Sequence, residues 1–163
     1  MERDIDRTFN DEDQLAQGRA HAFNGRRLRL LRRRNGLTQS ALAAAAAISR
    51  PSVTAYETGT AVPSPRVAAA LAAALGVSID HLTLTDADRA GLADLRYHAG
   101  LTQAQIAERL GVSRNTFPGI ERGERPPTPA QIAQLAELYS TTSAEILAAW
   151  QRTRATMATR RTR

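Results

Sequence analysis

The stretch GLTQSALAAAAAISRPSVTAYETG, residues 36–59, returns as GLTQAQIAERLGVSRNTFPGIERG at residues 100–123. The 64-residue offset holds without a gap from Leu31 and Leu95 to Leu82 and Ile146. Under that register Ser49 and Arg50 meet Ser113 and Arg114, Glu57 meets Glu121, Gly59 meets Gly123, and Pro63 and Pro65 meet Pro127 and Pro129. The chain is therefore a tandem duplication. What recurs is mostly helix caps, turn residues and one acid, which marks a repeated helical geometry rather than a shared bias in composition.

A chain of 163 residues divided by this repeat gives two units of roughly 60 residues, each able to fold around a modest core. Aromatic residues make up only 4% while Ala and Leu abound, which favours short close-packed helices over a sheet. The expected class is all-α. There is no Cys, so disulfides, Cys-ligated zinc and thiol chemistry are excluded. The opening MERDIDRTFNDEDQ is polar and acidic where a signal peptide needs a basic start and an apolar run, and no stretch is long enough to span a bilayer. A cytoplasmic protein without membrane association is expected.

All 22 basic residues are Arg, which by itself is explained by coding bias. Their distribution says more. Residues 1–22 carry 3 Arg and 6 acids, residues 23–85 carry 8 and 2, residues 86–151 carry 6 and 8, and residues 152–163 carry 5 and none. The positive field falls on the first unit and the tail, the regions a polyanion approaches first. The expected organisation is an acidic mobile arm at 1–22, a first domain at 23–85, a second at 86–151 and an Arg-rich tail at 152–163.

Within the first unit, Asn24 caps a helix running to about Asn35, and Gly36 suits its left-handed stop. Thr38 and Ser49 cap the second and third helices, Ser64-Pro65 opens a fourth that Gly76 ends, and Ser78 opens a short fifth through Leu82. The second unit repeats these marks from Thr85 or Asp86. Its caps Thr102 with Gln105 and Thr142 with Glu145 fit the reciprocal capping box. Only a few residues near Thr83–Asp86 join the units, so their relative placement is expected to be restricted.

Helix two, a tight turn and helix three, with Thr-Gln, Ala, Val or Ile, Ser-Arg and a closing Glu-x-Gly, form a helix-turn-helix. Both units resemble the phage-repressor class of these domains, the Cro and lambda-repressor (XRE) family, over their whole five-helix length. The resemblance implies two tandem five-helix domains, a duplex-DNA partner, and a transcriptional regulator of repressor type that is no enzyme and needs no cofactor. A protein-interaction adaptor or antitoxin-like partner is the alternative.

The third helix of such a unit fits the major groove, with its first turn and a half reaching base edges. In the first unit the base-contacting candidates are Arg50, Pro51, Thr54 and Ala55. Arg50 suits guanine O6 and N7, and Pro51 offers apolar contact to a thymine methyl. In the second unit they are Arg114 and Asn115. The resemblance implies phosphate contacts by Gln39 and Gln103; Ser49, Ser52, Thr60 and Ser113 are weaker phosphate candidates. Arg26, Arg27, Arg29, Arg33 and Arg34 flank the first helix, where some raise affinity by counterion release. The resemblance further implies buried structural ion pairs, Arg32 with Glu57 and Arg96 with Glu121. His21, His81 and His98 show no ligand spacing, so no metal is expected.

The second unit departs from the first at its reading surface. With Ser113 as cap, Pro118 falls at the fifth helical position, where it removes a bond to the Arg114 carbonyl, so that helix is expected to be kinked or shortened. Gly119 replaces Ala55. The first unit is therefore expected to be the principal reader. A second half-site reader, a weak DNA binder, and a dimerisation or partner-binding domain remain three open uses of the second.

Overall fold

A computed structural model describes residues 23–84 and 89–161, with side chains through residue 159. The acidic arm with His21, the junction at 85–88 and the last two residues lie outside the described residues. Among the described residues nine α-helices follow in chain order: α1 Gly25–Arg34, α2 Gln39–Ala45, α3 Arg50–Thr58, α4 Pro65–Leu75, α5 Leu92–His98, α6 Gln103–Arg109, α7 Thr116–Glu121, α8 Pro129–Leu138 and α9 Ser143–Arg161. Among the described residues there is no strand, only an isolated antiparallel bridge between Phe23 and Thr83. The protein is all-α, with a helix-turn-helix in each half.

Side-chain burial repeats with the sequence. Leu28, Leu42, Val53, Leu71 and Leu82 are fully buried, and so are the residues 64 positions on, Leu92, Ile106, Phe117, Leu135 and Ile146. Each set anchors its own core. The caps are equally local: Asn24 Oδ1 accepts from the Arg27 amide at 3.1 Å and Thr38 Oγ1 from the Ala41 amide at 3.0 Å. Gly25 lets α1 close on α3, since a Cβ there would lie 2.1 Å from the Tyr56 carbonyl oxygen.

Some expected details change. The fifth helix of the first unit is a single 3₁₀ turn, Ile79–Leu82. In the second unit the fifth helix runs on as α9, so the first ten residues of the expected tail are helical. Thr142 accepts from the Glu145 amide at 3.1 Å, but the Glu145 carboxylate turns to Arg152, leaving the capping box half made. A box that the sequence reading missed opens α8: Thr128 Oγ1 accepts from the Gln131 amide at 3.2 Å and Gln131 Oε1 accepts from the Thr128 amide at 2.9 Å.

The repeat also fixes where the backbone turns left-handed. Gly36, Gly59, Gly76 and their partners Gly100 and Gly123 have φ between 66° and 75°, but Gly111 pairs with Ala47 at φ 54°, and Gly76 pairs with Ser140 at φ 52°. A Cβ in this region costs about 1–2 kcal/mol, partly offset by the larger unfolded-state entropy of Gly. Ala47→Gly and Ser140→Gly are each expected to stabilise the protein by about 0.5–1 kcal/mol. Urea midpoints would check this, and a lowered midpoint for both would contradict it.

The two units are packed against each other. Tyr97, at the end of α5, is fully buried in the first unit's core, and its hydroxyl donates to the Pro63 carbonyl at 3.0 Å. His98 Nε2 lies 3.0 Å from the buried Thr83 hydroxyl, whose own carbonyl accepts from Arg27 at 2.7 Å. Burial at this joint pushes the His98 pKa below its usual value.

Candidate nucleic-acid interface

Helix α3 is set by Ser49, whose Oγ accepts from the Ser52 amide at 3.2 Å, and it ends at left-handed Gly59. Pro51 falls in the first turn, where no intrahelical partner exists for the amide it lacks. Val53 and Glu57 point inward, whereas Arg50, Pro51, Thr54 and Thr58 are exposed and Ala55 is half-exposed. Helical periodicity thus puts the four base-contacting candidates on one solvent-facing side. Together with Thr58 and Thr60 they line an open depression of about 390 Å³.

Beside it lies an open groove of about 500 Å³ lined by Arg29 and Arg33 of α1, Thr38, Gln39 and Ser40 at the start of α2, and Arg50 and Thr58 of α3, with Arg32 and Glu57 completing it. Glu57 holds three elements together. Its carboxylate accepts from Arg32 Nε at 2.6 Å and Nη2 at 3.1 Å, and from Gln39 Nε2 at 2.9 Å, while Arg32 Nη1 donates to the Leu37 carbonyl at 2.7 Å. Desolvation pushes the Glu57 pKa up, but the hydrogen bonds from Arg32 and Gln39 outweigh it and hold the carboxyl below its ordinary value. Among the described residues Glu57 is the only acid lining the groove, where Arg29, Arg33 and Arg50 set a positive field.

Gln39 is neither a simple exposed polar residue nor wholly available to a ligand. One amide proton is committed to Glu57, and its Oε1 accepts from Thr54 Oγ1 at 3.2 Å. Ser49 and Ser52 share a hydroxyl contact of 2.8 Å, and Thr60 Oγ1 donates to the Ala55 carbonyl at 3.2 Å, so each of these hydroxyls serves local structure.

The corresponding surface of the second unit is built differently. Ser113 does not cap a helix: α7 begins at Thr116, behind Asn115, and Ser113 Oγ lies 2.7 Å from Thr116 Oγ1. Arg114 and Asn115 are exposed but precede the helix. Pro118 is consequently the third helical residue, not the fifth, and its missing amide falls among the first-turn donors that have no partner anyway. The helix responds by starting late, with 6 residues against 9 in α3, rather than by kinking through the proline.

Its surroundings lose the basic groove residue by residue. Arg29 and Arg33 become Ala93 and Tyr97, Ser40 becomes Ala104, and Thr60 becomes Glu124. Gly119 is buried, and a Cβ there would lie 3.6 Å from both Arg125 and Glu124. Glu124 accepts from Arg122 Nε at 2.8 Å and Nη2 at 3.0 Å. An acid and an ion pair thus stand where the first unit has hydroxyls. Only the scaffold recurs: Arg96 Nε donates to Glu121 at 2.5 Å, and Gln103 donates to the other carboxylate oxygen. The sequence already held this signal in the four substitutions just named, which the comparison of helix-three residues alone passed over.

The start of the expected tail is also engaged. Arg152 donates to the Ala90 carbonyl at 2.9 Å and pairs with Glu145, and Arg154 sits 5.5 Å over the Trp150 ring. Trp150 is buried and its indole N–H donates to the Arg125 carbonyl at 3.1 Å. Among the described residues no group of three or more His, Asp or Glu side chains could hold a metal ion, and no helix is long and apolar enough to cross a membrane.

A family model described as a helix-turn-helix domain matches residues 25–84 and again residues 89–149. Comparisons with curated proteins and with solved structures give no match.

Proposed function

We propose that this chain, which belongs to the helix-turn-helix domain family in both halves, is a sequence-specific duplex-DNA-binding transcriptional regulator of the Cro and lambda-repressor type that acts as a repressor. Its α3 enters the major groove, with Arg50 on guanine and Pro51, Thr54 and Ala55 against neighbouring bases. Phosphates lie along the groove of Arg29, Arg33 and Gln39 and fix the register. Repression follows from occupying promoter DNA.

The observation that carries this reading is the contrast between the two helix-three surfaces. The α3 face is exposed beside a basic groove, whereas Gly119 of α7 is covered and Glu124 would face the phosphate backbone. An Arg122–Glu124 ion pair there takes the place of the first unit's hydroxyls, and no basic groove flanks the helix, so the second unit is assigned to support and to contact with a partner chain or a second copy rather than to base reading.

Selection of bound sites from random duplexes, followed by titration, tests it. Arg50→Ala is expected to weaken binding to the selected site by about 10- to 100-fold and to relax preference at one guanine. Arg114→Ala is expected to change it by less than about twofold, the scale of an exposed contact that carries little energy. Equal losses from both variants would put both units on DNA and overturn the assignment.

A further inference from the structure

We infer that the α3 face recognises a C5-methyl pyrimidine next to a guanine, and that thymine and 5-methylcytosine satisfy it alike. The inference rests on α3 being the DNA reader.

Thr54 Oγ1 donates to the Gln39 amide oxygen at 3.2 Å and to the Arg50 carbonyl at 3.3 Å. Thr58 Oγ1 donates to the Thr54 carbonyl at 2.9 Å, and Thr60 Oγ1 to the Ala55 carbonyl at 3.2 Å. Pro51 has no amide proton, and Ala55 has no polar side-chain atom. Every hydroxyl proton lining the depression is thus held by a protein oxygen, and the wall that Pro51, Thr54 and Ala55 present is mostly carbon. Arg50 supplies the ligand-facing donors.

A base pair brought to this surface meets a guanidinium on one side and an apolar wall on the other. Arg50 suits guanine, the commonest specific pairing of an arginine in the major groove. With their protons committed, these hydroxyls do not donate to the O4 of the adjoining pyrimidine. Its C5 substituent is what the wall feels: a methyl group loses water and fills the depression, whereas hydrogen leaves it open. Thymine and 5-methylcytosine carry that same methyl at the same carbon. The second unit has no such wall, because its short helix offers half-buried Pro118 and a covered Gly119.

The test uses the full chain and a site selected from random duplexes. The guanine read by Arg50 is identified as the position whose substitution no longer matters in Arg50→Ala. Four duplexes then differ only at the neighbouring base pair, in which thymine or deoxyuridine faces adenine and cytosine or 5-methylcytosine faces guanine. Deoxyuridine and cytosine are expected to bind about three- to fivefold more weakly than thymine, the effect of one buried methyl. 5-Methylcytosine is expected to bind within about twofold of thymine, by the same account.

Thr54→Ser keeps the hydroxyl and removes the methyl, so it should shrink the thymine-to-deoxyuridine difference while leaving the thermal melt unchanged. If thymine and deoxyuridine bind equally and a scrambled duplex remains weak, the methyl reading is overturned and α3 stands as the reader. If 5-methylcytosine binds as weakly as cytosine, the equivalence of the two bases is overturned. A chain that selects no site overturns the inference together with the function it rests on.

Discussion

Tyr97→Ala is expected to lower the unfolding free energy by about 3–5 kcal/mol, as for other large aromatic truncations in a core, and to split one unfolding transition into two. The side chain is fully buried among first-unit residues although it belongs to the first helix of the second unit. Its hydroxyl also satisfies the Pro63 carbonyl at 3.0 Å. Removing it leaves a cavity at the seam, which partial collapse fills only at the expense of the joint. Tyr97→Phe separates the two contributions: it keeps the ring and strands one carbonyl, for a loss of about 1–3 kcal/mol. Calorimetry checks both variants. A single transition with an unchanged midpoint for Tyr97→Ala would mean that the seam contributes nothing to cooperativity.

Glu57→Ala is expected to cost about 3–5 kcal/mol, because it leaves the Arg32 guanidinium buried without its carboxylate. The side chains are only 10% and 3% exposed for Arg32 and Glu57. Since both border an open groove, water can reach the stranded charge, so the lower part of that range is expected. Gln39 loses its anchor at the same time, and DNA affinity should fall along with stability. Replacing both partners by apolar residues, Arg32→Met with Glu57→Leu, should recover most of the lost stability but not the DNA affinity. Urea unfolding of the three proteins distinguishes a stranded charge from lost packing, for packing loss alone would make the double variant the least stable.

The same pair sets an acid limit. The folded-state pKa of Glu57 lies below its ordinary value of 4.5, so the folded state binds this proton less readily than the unfolded chain. Its contribution is present in full above the unfolded pKa and is lost as pH falls from there through the folded value. Acid unfolding of Glu57→Gln should therefore lack part of the stability loss below about pH 4.5.

Most helix boundaries are legible in the sequence because they are written in neighbouring residues. Thr38, Ser49, Ser64 and Thr102 each bond an amide three positions ahead, a geometry that needs nothing from the rest of the chain. The exposed side of α3 is legible for the same reason, since Val53 and Glu57 point inward and fix where Arg50 and Thr54 must point. The Ser113 boundary misleads because a cap and a proline compete for one short segment. The cap alone would start the helix at Arg114, but Pro118 is tolerated without strain only if the start moves to Thr116.

The repeat by itself determined two helix-turn-helix units, their apolar anchors from Leu28 with Leu92 to Leu82 with Ile146, and the unlike character of their reading surfaces. Those properties rest on periodicity and capping, which act over a few residues. Tertiary structure alone decided that Tyr97, in the register of exposed Arg33, is buried in the neighbouring unit, that Glu124 and Arg125 lie over Gly119, and that Gln39 is tied to both Glu57 and Thr54. Each depends on which surface meets which across long stretches of chain. A side chain's own sequence neighbourhood does not carry that information, so the duplication and the divergence of its helix-three residues could be read before folding, but the contacts that join the units and cover Gly119 could not.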